Sequence, residues 1–205
     1  ISTYQDNMPP AAELKADFEW AKSIAVGPGL SMNGVAAEIT RCVLEREDKV
    51  RILDADALNI IAAEHIDYKG SNEGKIIITP HIMEMSRLTG KTVSDIKEHM
   101  IESAKEYAIQ HSCICILKDA RTVVTDGQKV YINCTGNDGM STGGSGDVLT
   151  GLIAGMAAIG LDAFDAACLS VYVHGKAGDL AAQQKGRTGM TASDIAEAIA
   201  YVLKR

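Results

Sequence analysis

Short apolar runs alternate with longer amphipathic segments along the first half of the chain. The apolar runs predict four buried strands, at residues 23–26, 50–53, 75–78 and 113–117. Between them, residues 33 to about 46 carry apolar side chains at helical spacing, a helical turn is expected from Ile82, and residues 92 to about 110 predict one long helix. This alternation is typical of an α/β protein with a mainly parallel sheet.

The pattern changes in the second half. Two short apolar runs, 122–125 and 129–132, flank Asp126-Gly127, a turn dipeptide that favours a β-hairpin. Such a hairpin would extend the sheet with antiparallel strands. Three helices are then predicted, at residues 147–159, 163–184 and 192–203. Thr191 and Asp194 have the spacing of a capping box for the last of them.

Composition limits the function classes. The chain has 205 residues, of which 46% are hydrophobic, and this is enough for a sizeable core. No internal repeat or low-complexity tract divides it, so we expect residues 1–205 to form a single domain. The formal net charge of −7 argues against a general nucleic-acid-binding protein, which needs a basic face. It leaves room for a nucleotide pocket built from a few local donors.

The five cysteines show no zinc-finger spacing, and Cys113 and Cys115 fall on one face of a predicted strand. Buried free thiols in a reducing compartment are the interpretation that fits them. We find no pattern of a signal peptide and no uninterrupted apolar segment of membrane-spanning length. We therefore expect a soluble, cytoplasmic protein.

Three polar breaks follow predicted strands. They are GPGLS at 27–31, DADALN at 54–59 and TPHIMEM at 79–85. In open α/β sheets, ligands bind outside the carboxyl ends of the strands. Because such ends lie on one rim of a parallel sheet, we expect these breaks to line one shared crevice.

The glycine-rich segment GNDGMSTGGSGDVLTGLIAGM, at 136–156, leads into a predicted helix. Backbone N–H groups at a helix N-terminus favour an anion, and glycine lets that anion approach the backbone closely. Asp147 follows directly, where its carboxylate can accept a proton from a hydroxyl that attacks a phosphate. The spacing matches neither the P-loop nor the Rossmann fingerprint. A bare GxGD is equally compatible with a tight turn whose aspartate only caps a helix.

Further motifs accompany this segment in a fixed order. They are VGPGL (26–30), LDADALN (53–59), TPHxxEMxRL (79–88), LKxAxT (117–122), HGxAGD (174–179) and TASDI (191–195). Together with the glycine-rich segment they resemble the motifs of the NAD(P)H-hydrate dehydratases, a branch of the ribokinase-like proteins. The resemblance covers nearly the whole chain. It implies a three-layer α/β/α fold with a mainly parallel sheet, an antiparallel hairpin extension and a helical C-terminal part.

The resemblance also implies an activity. Members of this family use ADP or ATP to phosphorylate the ring hydroxyl of NADH or NADPH hydrate, and then eliminate phosphate to restore the reduced dinucleotide. Asp147 matches the active-site aspartate that removes the hydroxyl proton and contacts substrate. Gly144, Ser145 and Gly146 match the turn that stabilises the developing phosphoryl charge.

Other positions match binding segments of the family. The nucleotide-contacting segment is matched by Lys118, Asp119, Ala120, Arg121 and Thr122, with Gly146 beside it. Gly29 and His81 match positions that contact the hydrate. Taken alone, Lys118 would be a solvated charge after a strand and His81 an ordinary loop residue.

Several acidic residues keep two interpretations. Glu84 stands where ribokinase-like proteins place a residue that helps to organise Mg²⁺, which offsets phosphate charge, but it would equally be a surface carboxylate on a helix. Either Asp54 or Asp56 would line the phosphate end of the crevice, and Asp56 would equally be a helix N-cap. His174 and Asp179 are interpreted as packing or helix-pairing residues.

The chain also departs from the family pattern. Ser31 and Asp119 stand where most relatives have glycine, and Ser141 where alanine is common. Family members usually begin with a further βα unit that contributes to the substrate pocket, so we expect this chain to be truncated relative to the family, or another chain or segment to complete its sheet. Relatives commonly form tetramers, and a homo-oligomer is expected. A small-molecule kinase of the same fold and an inactive nucleotide-binding fragment are the alternative functions.

Overall fold

The computed structural model describes residues 10–70 and 75–204. Six strands form one sheet in chain order, namely β1 (Ser23–Val26), β2 (Val50–Leu53), β3 (Ile76–Ile78), β4 (Ile114–Leu117), β5 (Val123–Thr125) and β6 (Val130–Ile132). Neighbouring strands from β1 to β4 are parallel, and β5 and β6 continue the sheet as an antiparallel hairpin. The predicted mainly parallel sheet with a hairpin extension is therefore confirmed, with strand boundaries within one residue.

The helices of the described residues are α1 (Pro10–Trp20), α2 (Gly34–Leu44), α3 (Ala55–Ala63), α4 (Ile82–Thr89), α5 (Val93–Glu98), α6 (Met100–His111), α7 (Ser145–Ala158), α8 (Ala163–Lys185) and α9 (Ala192–Val202). One core packs α1 to α6 against one face of the sheet, and a second packs α7 and α8 against the other. Helix α9 packs mainly on α8. This is the three-layer α/β/α architecture with a helical C-terminal part.

The central strands are buried on both faces. Leu53 and Ile78 belong to the core under α1 to α6, whereas Ile52 and Ile77 belong to the core under α7 and α8. All four side chains are 0% exposed. Side chains alternate between the two faces of a strand, so a parallel strand covered by helices on both sides needs a continuous apolar run.

The single helix predicted over 92–110 is wrong. Helix α5 ends at Glu98 and α6 begins at Met100, because His99 lies outside the helical region with φ −131° and ψ 49°. Helix α5 contacts α4, whereas α6 contacts β4 and β5. The bend at His99 lets the two segments reach different neighbours, and neither glycine nor proline marks it in the sequence.

Other helices also differ from the prediction. Helix α7 begins at Ser145, two residues before the predicted start, and α1 was not predicted. The last helix begins as expected, with the capping box between Thr191 and Asp194. Within residues 10–70 and 75–204, no helix is both long and apolar enough to cross a membrane.

Candidate active site

The polar breaks meet at one rim of the sheet. Asp54 follows β2 and donates its backbone N–H to the carbonyl of Val26, the last residue of β1. On the other side, Lys118 follows β4, pairs with His81 in an isolated parallel bridge and donates its N–H to the carbonyl of Pro80. These backbone contacts link the ends of four parallel strands, as the shared-crevice prediction requires.

Gly27 permits a close approach between the turn after β1 and the backbone of Asp54. Its φ is +124°, and a Cβ atom there would lie 1.7 Å from the carbonyl oxygen of Asp54. Only glycine fits such a position without moving the backbone. The next turn residues are exposed, Gly29 with φ +66° and Ser31 with φ +69°. Gly29, predicted to contact the hydrate, thus lies on the accessible side of the turn after β1.

Asp54 lies at the centre of the rim. Its carboxylate is 1% exposed at the end of β2, and one oxygen, Oδ1, is 2.9 Å from Lys118 Nζ. The other oxygen, Oδ2, accepts a 2.7 Å hydrogen bond from the hydroxyl of Thr150 in α7. Asp54 therefore joins β2, β4 and α7. Lys118 is not a solvated charge, because its ammonium is paired and its side chain is only 22% exposed.

Helix α7 presents its N-terminus to this group. Gly144 is the N-cap with φ +87°, and within the described residues no side chain caps the helix. The N–H of Ser145 donates to the carbonyl of Thr142 at 3.2 Å, which leaves the N–H groups of Gly146 and Asp147 to meet an anion. A Cβ on Gly146 would lie 3.5 Å from Lys118 Nζ. The glycine turn and the Lys118 ammonium are therefore adjacent.

Asp147 occupies the third position of α7, and its side chain is exposed. It follows Gly146 directly, so its carboxylate stands at the mouth of the helix that carries the predicted anion site. A carboxylate there is accessible to a hydroxyl brought in by a ligand. The exposed position is compatible with the predicted role as a proton acceptor.

His81 and Glu84 form a reciprocal cap on α4. His81 Nδ1 accepts the N–H of Glu84 at 3.1 Å, and the His81 N–H donates to Glu84 Oε2 at 2.8 Å. Because Nδ1 accepts, the neutral imidazole carries its proton on Nε2, 3.4 Å from Glu84 Oε1. The half-exposed His81 ring thus offers an N–H donor at the rim, as a residue that binds a polar substrate group would.

Glu84 is 5% exposed, so its interpretation as a surface carboxylate is wrong. Burial raises the pKa of Glu84, and the neighbouring Asp54 raises it further, while the His81 backbone and Lys118 lower it. In the described parts of the chain, no group of three or more metal-binding side chains exists. A single carboxylate fits Mg²⁺ only when nucleotide phosphates and water supply the other ligands.

The rest of the predicted nucleotide segment forms the turn between β4 and β5. Asp119, Ala120 and Arg121 are exposed, and the Thr122 hydroxyl donates to the Asp119 carbonyl at 3.4 Å. Of the five predicted residues, only Lys118 joins the buried group around Asp54. The other four form an accessible surface beside it.

Helix α8 supports the glycine-rich loop from behind. Asp179 accepts hydrogen bonds of 3.1 Å from the Gly136 N–H and from Asn137 Nδ2. His174 is 8% exposed and lies near the backbone of Ser145, the first residue of α7. Burial lowers the pKa of His174 to about 4, so the ring is neutral near neutral pH. In the packing role predicted for His174 and Asp179, the two residues therefore contact the loop that leads into α7.

Two alternatives for Asp54 and Asp56 are resolved. The N-cap of α3 is Asp54, and Asp56 lies in the first turn, so Asp56 is not the N-cap. Its carboxylate accepts the N–H of Ser31 at 2.8 Å instead. Sequence reasoning missed Thr150, although it lies one helical turn after Gly146 and so on the same face of α7.

A surface cavity of about 320 Å³ lies apart from this rim. It is lined by Asn137, Lys176, Asp179, Ala182, Gln183 and Arg187. None of the residues around Asp54 lines it.

Comparison with known proteins identifies the family of this chain. A family model described as NAD(P)H-hydrate dehydratase matches residues 3–201. The bifunctional NAD(P)H-hydrate repair enzyme Nnr of Moorella thermoacetica is 44% identical over 202 residues, which are 98% of this chain. The chain belongs to the NAD(P)H-hydrate dehydratase family. It spans 37% of the length of that relative.

Solved structures place this dehydratase-family chain in the same fold. The ADP/ATP-dependent NAD(P)H-hydrate dehydratase of Bacillus subtilis, co-crystallised with ATP and Mg²⁺, matches with a TM-score of 0.79 and 32% identity, over 88% of this chain and 63% of that one. The hypothetic protein SMU.573 of Streptococcus mutans matches with a TM-score of 0.82 and 26% identity, over 94% and 68%. The ribokinase-like fold predicted from the motifs is confirmed.

Proposed function

We propose that this chain, as one dehydratase domain, restores NADH or NADPH from its hydrate in a reaction driven by ADP or ATP. One observation carries the proposal: Lys118 and the uncapped N-terminus of α7 are adjacent at the strand ends that also hold Gly29 and His81. A phosphate group held at the first pair would lie within the same crevice as a substrate held at the second.

The reaction then follows from the positions of these groups. The ring hydroxyl attacks the terminal phosphorus of the nucleotide, and Asp147 takes the hydroxyl proton as the new P–O bond forms and the bond to the leaving phosphate breaks. The N–H groups of Gly146 and Asp147, with the Lys118 ammonium, offset charge on the transferring phosphoryl group. His81 Nε2–H orients the substrate. The ring carbon–oxygen bond then breaks, inorganic phosphate leaves with the electron pair, and the neighbouring carbon gives up a proton to water as the double bond is restored.

Phosphorylation is the step that makes this dehydration feasible, because phosphate is a much better leaving group than hydroxide. Mg²⁺ bound to the nucleotide would supply further charge neutralisation at the phosphates, with the buried carboxylate of Glu84 as its candidate protein partner. The N–H groups of the glycine turn and the Lys118 ammonium would supply the rest of the positive potential at the phosphates. A kinase of the same fold would share the phosphate site but would stop at the phosphoester.

The test is direct. The protein is incubated with NADH hydrate, Mg²⁺ and either ADP or ATP, and the absorbance band of reduced nicotinamide is followed. Recovery of the band with stoichiometric release of inorganic phosphate supports the proposal. Accumulation of a phosphoester without recovery would show a kinase instead, and nucleotide binding without either product would show an inactive binding fragment.

A matched pair of variants separates catalysis from helix capping. Asp147 is the third residue of α7, and Asp165 is the third residue of α8, exposed like Asp147. Asp147→Asn is expected to reduce the recovery rate by about 10²-fold or more, as loss of a general base does. Asp165→Asn is expected to leave it unchanged. Equal rates for both variants would refute the role of Asp147.

A further inference from the structure

We infer that Asp54 is a positioning residue for nucleotide phosphate, which holds the Lys118 ammonium beside the glycine turn of α7. The inference deepens the proposed function and rests on it. Asp54 would not touch the nucleotide itself. It would act through Lys118, and its second oxygen binds Thr150 of α7, a contact that stabilises the fold.

The two carboxylate oxygens of Asp54 contact different groups. Oδ1 is 2.9 Å from Lys118 Nζ, and Oδ2 accepts the Thr150 hydroxyl at 2.7 Å. Thr150 is 2% exposed and lies one turn into α7, on the same face as Gly146. A single buried carboxylate therefore positions the cation through one oxygen and contacts α7 through the other, and the first contact carries the inference.

The pair leaves the ammonium free to act. An ammonium group has three N–H donors, and Asp54 Oδ1 uses one of them. The Asp54 side chain is 2% exposed, whereas the Lys118 side chain is 22% exposed, so solvent reaches the lysine but not the aspartate. A phosphate can therefore accept from Lys118 while the pair with Asp54 persists. The ion pair also limits the rotamers of a long, flexible side chain before the ligand arrives.

A second buried carboxylate, Glu84, interacts electrostatically with the same ammonium. Glu84, buried on α4, is within electrostatic reach of Lys118, whose charge lowers the pKa of Glu84. Without Asp54, Glu84 would be the remaining buried carboxylate to attract the ammonium. Asp54 thus keeps the Lys118 ammonium beside the glycine turn. There, a Cβ on Gly146 would lie 3.5 Å from Lys118 Nζ.

Nucleotide binding tests this without any need for the hydrate. Affinities of ADP and ATP, each with Mg²⁺, are measured by calorimetry for the wild type, Asp54→Asn, Lys118→Met, the double variant and Thr150→Val. Asp54→Asn and Lys118→Met are each expected to weaken binding by about tenfold, the scale of a charge-assisted phosphate contact. The double variant should bind no more weakly than Lys118→Met, because Asp54 acts through Lys118.

Two controls separate positioning from a general structural effect. Thr150→Val removes only the hydrogen bond to the helix, so it should lower the unfolding midpoint while nucleotide affinity stays within about twofold of the wild type. Adenosine, which has no phosphate, should bind wild type and Asp54→Asn equally. Additive losses in the double variant, equal weakening by Thr150→Val, or unchanged binding by Asp54→Asn would each overturn the inference.

Folding is checked by thermal denaturation, and Asp54→Ser serves as a second uncharged variant. If neither Asp54 variant folds, the residue has a structural role and the inference is refuted. If the wild type itself binds no adenine nucleotide, the proposed function fails together with the inference. If the wild type binds nucleotide and repairs the hydrate but Asp54→Asn does both equally well, only the inference fails.

Discussion

The carboxylate of Asp56 accepts a 2.8 Å hydrogen bond from the backbone N–H of Ser31, a residue held at φ +69°. A side chain at positive φ costs about 1–2 kcal/mol, so the turn at 27–31 needs a compensating contact. Asp56 provides it from the first turn of α3. The aspartate that follows β2 by three residues thus shapes the loop that follows β1.

Asp56→Ala is expected to loosen this turn and to raise the KM for hydrate by about fivefold, because Gly29 belongs to the same turn and an exposed loop contact of about 1 kcal/mol is lost. Nucleotide affinity should not change, since Lys118 and Gly146 do not contact Asp56. Steady-state kinetics with each substrate varied in turn measure both effects. A rise in the KM of both substrates would contradict this assignment.

Gly175→Ala is expected to destabilise the protein by about 1–3 kcal/mol through overpacking. A Cβ there would lie 2.1 Å from Thr135 Oγ1 and 2.8 Å from the Thr135 carbonyl carbon. The matched control is Gly151→Ala in α7, where a Cβ would meet no atom within 4 Å. That substitution should stabilise the helix by about 0.5–1 kcal/mol. Urea denaturation measures both, and a shift in the same direction would show that helix propensity alone decides.

His174 predicts a loss of stability on acidification. Burial lowers its pKa from 6.5 to about 4 in the folded protein. Between these values the unfolded chain binds a proton that the folded chain does not, so the free energy of unfolding falls as pH is lowered through this window. The expected contribution is about 2 kcal/mol between pH 7 and pH 5. His174→Gln should remove this part of the pH dependence in urea denaturation, and an identical pH dependence in both proteins would exclude it.

Glu84→Gln separates the two tasks of Glu84. Glutamine at the third helical position also closes a capping box, so stability should be retained, whereas Glu84→Ala should cost about 1 kcal/mol. Without the carboxylate, we expect about tenfold more Mg²⁺ to be needed for half-maximal hydrate repair, the scale of losing a group that orients a ligand of the metal. An unchanged Mg²⁺ requirement would assign Glu84 to the cap alone.

The parts of the fold that follow a local pattern were predictable. The strand 23–26, the Asp126-Gly127 hairpin and the capping box at Thr191 each depend on a few neighbouring residues, and each was found where expected. The break at His99 was not predictable, because it depends on which partners α5 and α6 meet. Propensity carries no information on such tertiary contacts.

The candidate site likewise has a part that local sequence patterns predict and a part that they do not. The rim positions of Gly29, His81 and Lys118 follow from strand ends, which the apolar pattern marks. The pairing of Asp54 with Lys118 and Thr150 joins residues 64 and 96 positions apart, and no local spacing predicts it. The sequence left Asp54 and Asp56 as equal candidates, and only their contacts with Lys118 and Ser31 tell them apart.

The fit between α8 and the glycine-rich loop has a consequence for exchanging parts between relatives. Gly175 and Gly178 leave room for Thr135 and Met140. Asp179 accepts hydrogen bonds from the Gly136 N–H and the Asn137 amide at the start of the loop. The 174–179 face of α8 and the glycine-rich loop are therefore complementary in shape. A glycine-rich loop transplanted from another dehydratase would need that protein's counterpart of helix residues 174–179 with it. A chimera that carries the loop alone is expected to pack poorly where the loop meets α8.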